Sequence, residues 1–133
     1  MARVVLACWG SYGDLFPSLG VASGLRALGH TPVVATCAFY HDLVVGEGFE
    51  HASVRPDIDP TATDIIRRVM DPRRGTEVIL NELLAPAVGD AYADLEAAAE
   101  GAGALVSHPV TFAAPLLAEH RGLPWLSTAL APL

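Results

Sequence analysis

Residues Cys8 to Gly20 read CWGSYGDLFPSLG. Asp14 stands there beside Gly10 and Gly13. A carboxylate next to a glycine turn can take a proton from a bound hydroxyl, and glycine lets backbone approach a ligand closely. The same side chain can instead cap a helix by bonding the amides of Phe16 and residue 17. Residue 17 is proline and has no amide hydrogen, so such a cap serves fewer donors. These residues leave both roles open. His108, in Ser107-His108-Pro109, is the second candidate. A neutral imidazole there can orient a hydroxyl or share a proton with Asp14, or be satisfied by backbone groups alone.

Positioning these groups needs a scaffold. Arg3 to Trp9 is a continuous apolar run of strand length, the mark of a strand buried on both faces. Leu15, Leu19, Ala22, Leu25 and Leu28 recur at helical spacing, with Pro17 suited to the first turn and Gly29 to the C-cap. The pattern repeats with a strand at Pro32–Cys37, a short helix at Tyr40–Gly46 and a weaker strand at Phe49–Val54. Arg55 to Gly75 then breaks the rhythm with Pro56, Pro60 and Pro72 and four aspartates. It reads as a long mobile excursion holding a short helix over Thr61–Met70, capped by Thr61 or Thr63. Thr76 to Gly101 is helical in two pieces, divided at Pro86. A fourth strand at Gly103–Ser107, a helix at Thr111–Arg121 closed by Gly122, and a fifth strand at Pro124–Thr128 complete the series.

Strand and helix in alternation predict an α/β fold, a doubly wound Rossmann-like parallel sheet of about five strands. Ligands of such sheets sit beyond the carboxyl ends of the strands, where strand order reverses. Gly10–Asp14 follows the first strand and Ser107–Pro109 the fourth. Topology therefore makes neighbours of two loops far apart in sequence.

Composition narrows the chemistry. The 133 residues carry a formal net charge of −7, which disfavours a nucleic-acid partner. All eight basic residues are arginine, so a Walker lysine is absent. The first loop lacks GxGxxG, and no acid ends the second strand, so a dinucleotide cofactor is not expected. GxSxG and HEXXH are missing too. Cys8 and Cys37 lack CxxC spacing and read as reduced, buried thiols of a cytoplasmic protein. His30, His41, His51 and His120 share no ligand spacing, so no metal site is expected. Mean hydropathy is +0.40, yet no run approaches the ~18 apolar residues of a membrane helix. Arg67, Arg68, Arg73 and Arg74 form either a contact for a partner domain or anionic ligand, or a solvated face balancing nearby aspartates. Of the aromatics Tyr12, Phe16, Phe39, Tyr40 and Phe112, some are expected to wall an apolar pocket and the rest to lie in the core.

The chain also resembles a known family. Gly10, Ser11, Gly13, Asp14, Pro17, Leu25, Gly29 and His30 match the opening GSxGDxxPxxxLxxxLxxxGH of the N-terminal domain of GT-B glycosyltransferases. Ala118-Glu119-His120-Arg121-Gly122-Leu123-Pro124 matches their AExxGxP stretch. The nearest branch is that of bacterial antibiotic and sterol or lipid glucosyltransferases, and the likeness runs over essentially the whole chain.

The resemblance implies the N-terminal half of a GT-B fold, with residues 1–133 as an acceptor-binding domain. It implies inverting, metal-independent transfer of a sugar from a UDP- or dTDP-type nucleotide-sugar to an acceptor hydroxyl, with the donor a co-substrate and no cofactor. By matching position, Asp14 is the catalytic base; many relatives have a different polar loop where Ser107-His108-Pro109 stands, so His108 is a catalytic candidate from its own chemistry and place in the fold alone. Gly10, Ser11, Tyr12, Gly13, Phe16, Thr111 and Phe112 are the expected acceptor contacts. A lipid, sterol or natural-product acceptor suits apolar walls best. The family's donor motifs, an HGGxGT-like stretch and a DQ pair, have no counterpart here. The chain is therefore expected to be a fragment, inactive alone, that works with its own C-terminal donor domain. Peripheral membrane contact and self-association of the fragment are further expectations. The alternative is a stand-alone, non-catalytic Rossmann-like binding module.

Overall fold

A computed structural model describes residues 1–132. Five strands, β1 (Arg3–Ala7), β2 (Thr31–Thr36), β3 (Glu50–Ser53), β4 (Ala104–Ser107) and β5 (Trp125–Ser127), form one parallel sheet in the order β3-β2-β1-β4-β5. Strand order reverses between β2-β1 and β4-β5, so the switch point lies between β1 and β4, as the alternation of elements predicts. Six α-helices connect the strands: α1 (Tyr12–Ala27), α2 (His41–Gly46), α3 (Thr63–Val69), α4 (Gly75–Glu77), α5 (Val88–Ala98) and α6 (Ala113–Arg121).

The period-two geometry of β1 divides the core into two layers. Leu6 and Cys8 point to one face, where they pack with Leu15, Leu19 and Ala22 of α1 and with Tyr40, Val44 and Phe49. Val5 and Ala7 point to the other, against Leu95 of α5 and Ala114, Leu117 and Ala118 of α6. These near-continuous apolar strands account for a hydropathy well above neutral without any membrane span. No helix among the described residues is long and apolar enough to cross a membrane.

Several boundaries differ from the sequence reading. β1 stops at Ala7, and α1 begins at Tyr12, a turn earlier than the leucine spacing suggests. Pro17 consequently lies inside α1 and not in its first turn. The carbonyl it leaves without a helical donor belongs to Gly13, four residues earlier. In the excursion, α3 starts at Thr63 with Ala62 at its N-cap, so neither Thr61 nor Thr63 caps it. Thr61 instead gives both its amide and its hydroxyl to Asp59 Oδ1, at 2.8 and 2.6 Å.

The excursion is folded back onto the sheet's C-terminal end. The Arg55 guanidinium grips Asp94 of α5 with two hydrogen bonds of 2.8 and 3.0 Å, tying its start. Beyond α4 the chain runs through a π-helical stretch, Val78–Leu84, and a 3-10 turn at Ala85–Ala87 before α5. Pro86 sits in the opening turn of that 3-10 segment, where its missing N–H is harmless.

Candidate functional site

Asp14 is neither free nor an N-cap. Ser11 holds the N-cap position of α1, and Asp14 lies three residues into the helix, reaching back to it. Its Oδ2 accepts the Ser11 amide at 2.8 Å and the Ser11 hydroxyl at 3.1 Å. This is the carboxylate half of a capping box, with an acid also favoured by the helix dipole. The other oxygen, Oδ1, lies 3.1 Å from His108 Nε2, across 94 residues of sequence. The two loops that topology makes neighbours are thus joined through their side chains.

His108 is held as firmly. Its amide donates to the Ala7 carbonyl at 2.8 Å, continuing the β1–β4 ladder past the end of β4. Its Nδ1 accepts the Val110 amide at 3.3 Å. In the neutral ring the proton then belongs on Nε2, where it is donated to Asp14. The lone pair of the imidazole is occupied by backbone, and the acceptor capacity that remains in the pair belongs to the carboxylate.

The glycine turn allows this approach. Gly10 has φ +133°, and a Cβ there would overlap Asp14 Oδ2. Gly13 meets no comparable demand: a Cβ on it would touch only Ser11 Oγ at 3.5 Å. The close approach expected of both glycines therefore falls to Gly10.

Asp14, Gly10 and Ser11 line a cavity of about 230 Å³. Its other walls are Trp9, Cys37, Ile58, Pro60, Ile65, Ile66, Val69, Ile79 and Leu83. Asp14 is the charged residue on this wall, and the far side is aliphatic. Most of that side comes from the excursion and the π-helical stretch. The sequence does not display these side chains as a set, because they converge only when the irregular segment folds back. Their one local signal is that Ile58, Ile65, Ile66 and Val69 are apolar within a polar segment.

Other expected contacts lie elsewhere. Tyr12 and Phe16 stack with centroids 5.8 Å apart, as residues four apart on a helix do. That face of α1 is turned about half a helical revolution from Asp14, and neither ring lines the cavity. Tyr12 instead meets Phe39 and Tyr40 edge-on. Thr111 and Phe112 border a second, smaller cavity of about 30 Å³ on the α5 side, which shares Trp9 with the first. Cys8 and Cys37 are both free and buried. Burial pushes the Cys8 thiol up to about 11, which removes it as a nucleophile near neutral pH.

Known proteins of similar sequence and shape point one way. The chain is 26% identical over 136 residues to the L-demethylnoviosyl transferase of Streptomyces niveus, covering 93% of this chain and 33% of that protein. It is 26% identical over 126 residues to the sterol 3-beta-glucosyltransferase of Glomerella lagenarium, covering 92% of this chain and 8% of that one. Among solved structures, the glycosyltransferase SnogD from Streptomyces nogalater superposes with a TM-score of 0.72 at 23% identity, covering 98% of this chain and 34% of that chain. No family model matches. The architecture is that of a Rossmann-like half of a GT-B glycosyltransferase. The part of these proteins that the chain matches is the N-terminal part. It spans about a third of the first curated relative's length.

Proposed function

We propose that the chain is the acceptor-binding half of an inverting glycosyltransferase, with Asp14 as the base that takes the acceptor hydroxyl's proton. One observation carries the reading: a carboxylate fixed by Ser11 and His108 forms the polar end of a mainly apolar cavity at the sheet's switch point. An uncharged, lipophilic alcohol or phenol would bury its body against Ile58, Ile66 and Leu83 and present its hydroxyl to Asp14. As that oxygen attacks the anomeric carbon of a UDP- or dTDP-linked sugar, the O–H proton passes to the carboxylate and the nucleoside diphosphate leaves with the bonding electrons. His108 keeps Nε2–H on Oδ1 and so holds the carboxylate plane. A separate donor-binding domain would stabilise the leaving nucleotide. Transfer needs no divalent metal in this scheme, so turnover in EDTA should equal turnover without it.

Two lesser contacts belong to the same reading. Ile66 and Met70 are exposed beside Arg67, Arg68, Arg73 and Arg74, which supports a peripheral membrane contact. Trp125 and Leu126 are exposed on β5 at the sheet edge, which supports self-association. The cytoplasm is the compartment we propose, since both cysteines are unpaired.

Acceptor binding can be tested on the chain itself. Trp9 lines the cavity, so in a Trp125→Phe background its fluorescence should respond to hydrophobic alcohols. Leu83→Asp should abolish the response, while Leu116→Asp, on the exposed face of α6, should leave it intact. A response equal in both variants would sink the cavity assignment.

A further inference from the structure

The glycine turn that grips Asp14 is itself gripped from below. Tyr40 is 1% exposed, lies in the core on the α1 face of the sheet, and does not line the cavity. Its hydroxyl donates to the Gly10 carbonyl at 2.8 Å. The peptide unit that presents this carbonyl also carries the Ser11 amide, which donates to Asp14 Oδ2 at 2.8 Å. One planar group is thus held at both ends. A peptide bond resists twisting, so fixing its C=O fixes the direction of its N–H. A hydroxyl on the carbonyl also polarises the amide and strengthens its bond to the carboxylate.

The anchor answers a local weakness. Gly10, at φ +133°, has the loosest backbone of the turn. Without an external hold, the plane beyond it would rock. Tyr40 is suited to the task because its ring is boxed edge-on by Tyr12 and Phe39, with centroids 5.3 and 5.2 Å away. Burial also keeps the phenol protonated at all working pH values, so it remains a donor.

We propose that Tyr40 is a positioning residue for Asp14, acting through the Gly10–Ser11 peptide plane. This rests on the reading of Asp14 as the base. Tyr40→Phe removes the hydroxyl and keeps the ring packing, so the variant should fold. Two readouts test the proposal. In the chain itself, the Ser11 amide proton resonance, identified by its displacement in Asp14→Ala, should move upfield in Tyr40→Phe as its bond to Oδ2 weakens. In the complete transferase, well below the melting temperature of either protein, kcat should fall about tenfold with the acceptor KM within twofold, since a buried neutral hydrogen bond is worth about that factor. An unmoved Ser11 resonance overturns the proposal. So does a moved resonance with unchanged kcat in an enzyme that Asp14→Asn inactivates, because the anchor would then not serve the base. If Asp14→Asn itself leaves transfer intact, the base reading fails and the positioning role falls with it. The Ser11 resonance then still reports whether the anchor exists.

Discussion

Asp14 accepts three hydrogen bonds before any ligand arrives, two from Ser11 and one from His108. A carboxylate has room for about four. The arrangement therefore orients the group while leaving capacity for one more donor, which in the proposed function is the acceptor hydroxyl. Two substitutions separate the supports. His108→Ala removes the hold on Oδ1 and leaves the base, so kcat should fall about tenfold, less than on loss of Asp14; a fall as large as that of Asp14→Asn would mean that the two residues act as a unit. Gly10→Ala places a methyl where Oδ2 lies and forces a side chain into a positive-φ conformation. It should cost about 1–3 kcal/mol of stability and displace the carboxylate, seen as a lowered urea midpoint together with lost transfer. A variant of wild-type stability and turnover would show the glycine to be dispensable. At this scale the sequence was partly legible. The types at Asp14 and His108, and their meeting at the switch point, followed from residue chemistry and topology. Ser11 as the cap did not, because the leucine spacing placed the helix start at Leu15. The signal was present, since Ser11 and Asp14 stand at capping-box spacing.

Elements set what surrounds Asp14. β1 and β4 deliver the two loops, and their register is the parallel-sheet register of adjacent strands at a switch point. That much follows from the order of apolar runs. The cavity's far wall does not, because it is made by a segment whose prolines and aspartates carry no period. Its fold depends on tertiary ties such as Arg55–Asp94. The hydrogen bonds from Arg55 hold the Asp94 carboxyl below the usual carboxylate range. A depressed folded value means stability that is present above the unfolded pKa, about 4, and lost as pH falls through the lower folded value. Asp94→Asn should therefore be destabilised relative to wild type at pH 7, and the gap should be smaller at pH 3, below the unfolded pKa. Urea midpoints at the two pH values check this; a gap that persisted in acid would assign the effect to packing. The effect is modest, because Arg55 is half exposed.

The whole molecule is an unevenly covered sheet. α1 and α2 pack on one face and α5 and α6 on the other, but β5 lies at an edge with its three residues exposed. Trp125 is partly satisfied by its indole bond to Ser107 at 2.9 Å, whereas Leu126, at 68% exposed, packs on little. This apolar edge is the strongest physical reason to expect the chain to self-associate. Leu126→Lys should shift sedimentation toward monomer at high concentration. Equal association by both proteins would place the contact elsewhere. The parallel five-stranded architecture was legible from composition and alternation, since strands buried on both faces must be apolar throughout.

The central claim concerns one proton. The direct measurement is acceptor dissociation constant and kcat, side by side, for wild type and Asp14→Asn in the proposed full-length transferase. Asparagine keeps the shape and can still accept from Ser11, but it cannot take a proton at neutral pH. With Asp14 as the base, kcat should be lower by about two orders of magnitude or more, with the dissociation constant changed by less than about threefold. Near-normal kcat, with only the thermal stability reduced, would contradict that role and leave Asp14 as the capping-box partner of Ser11.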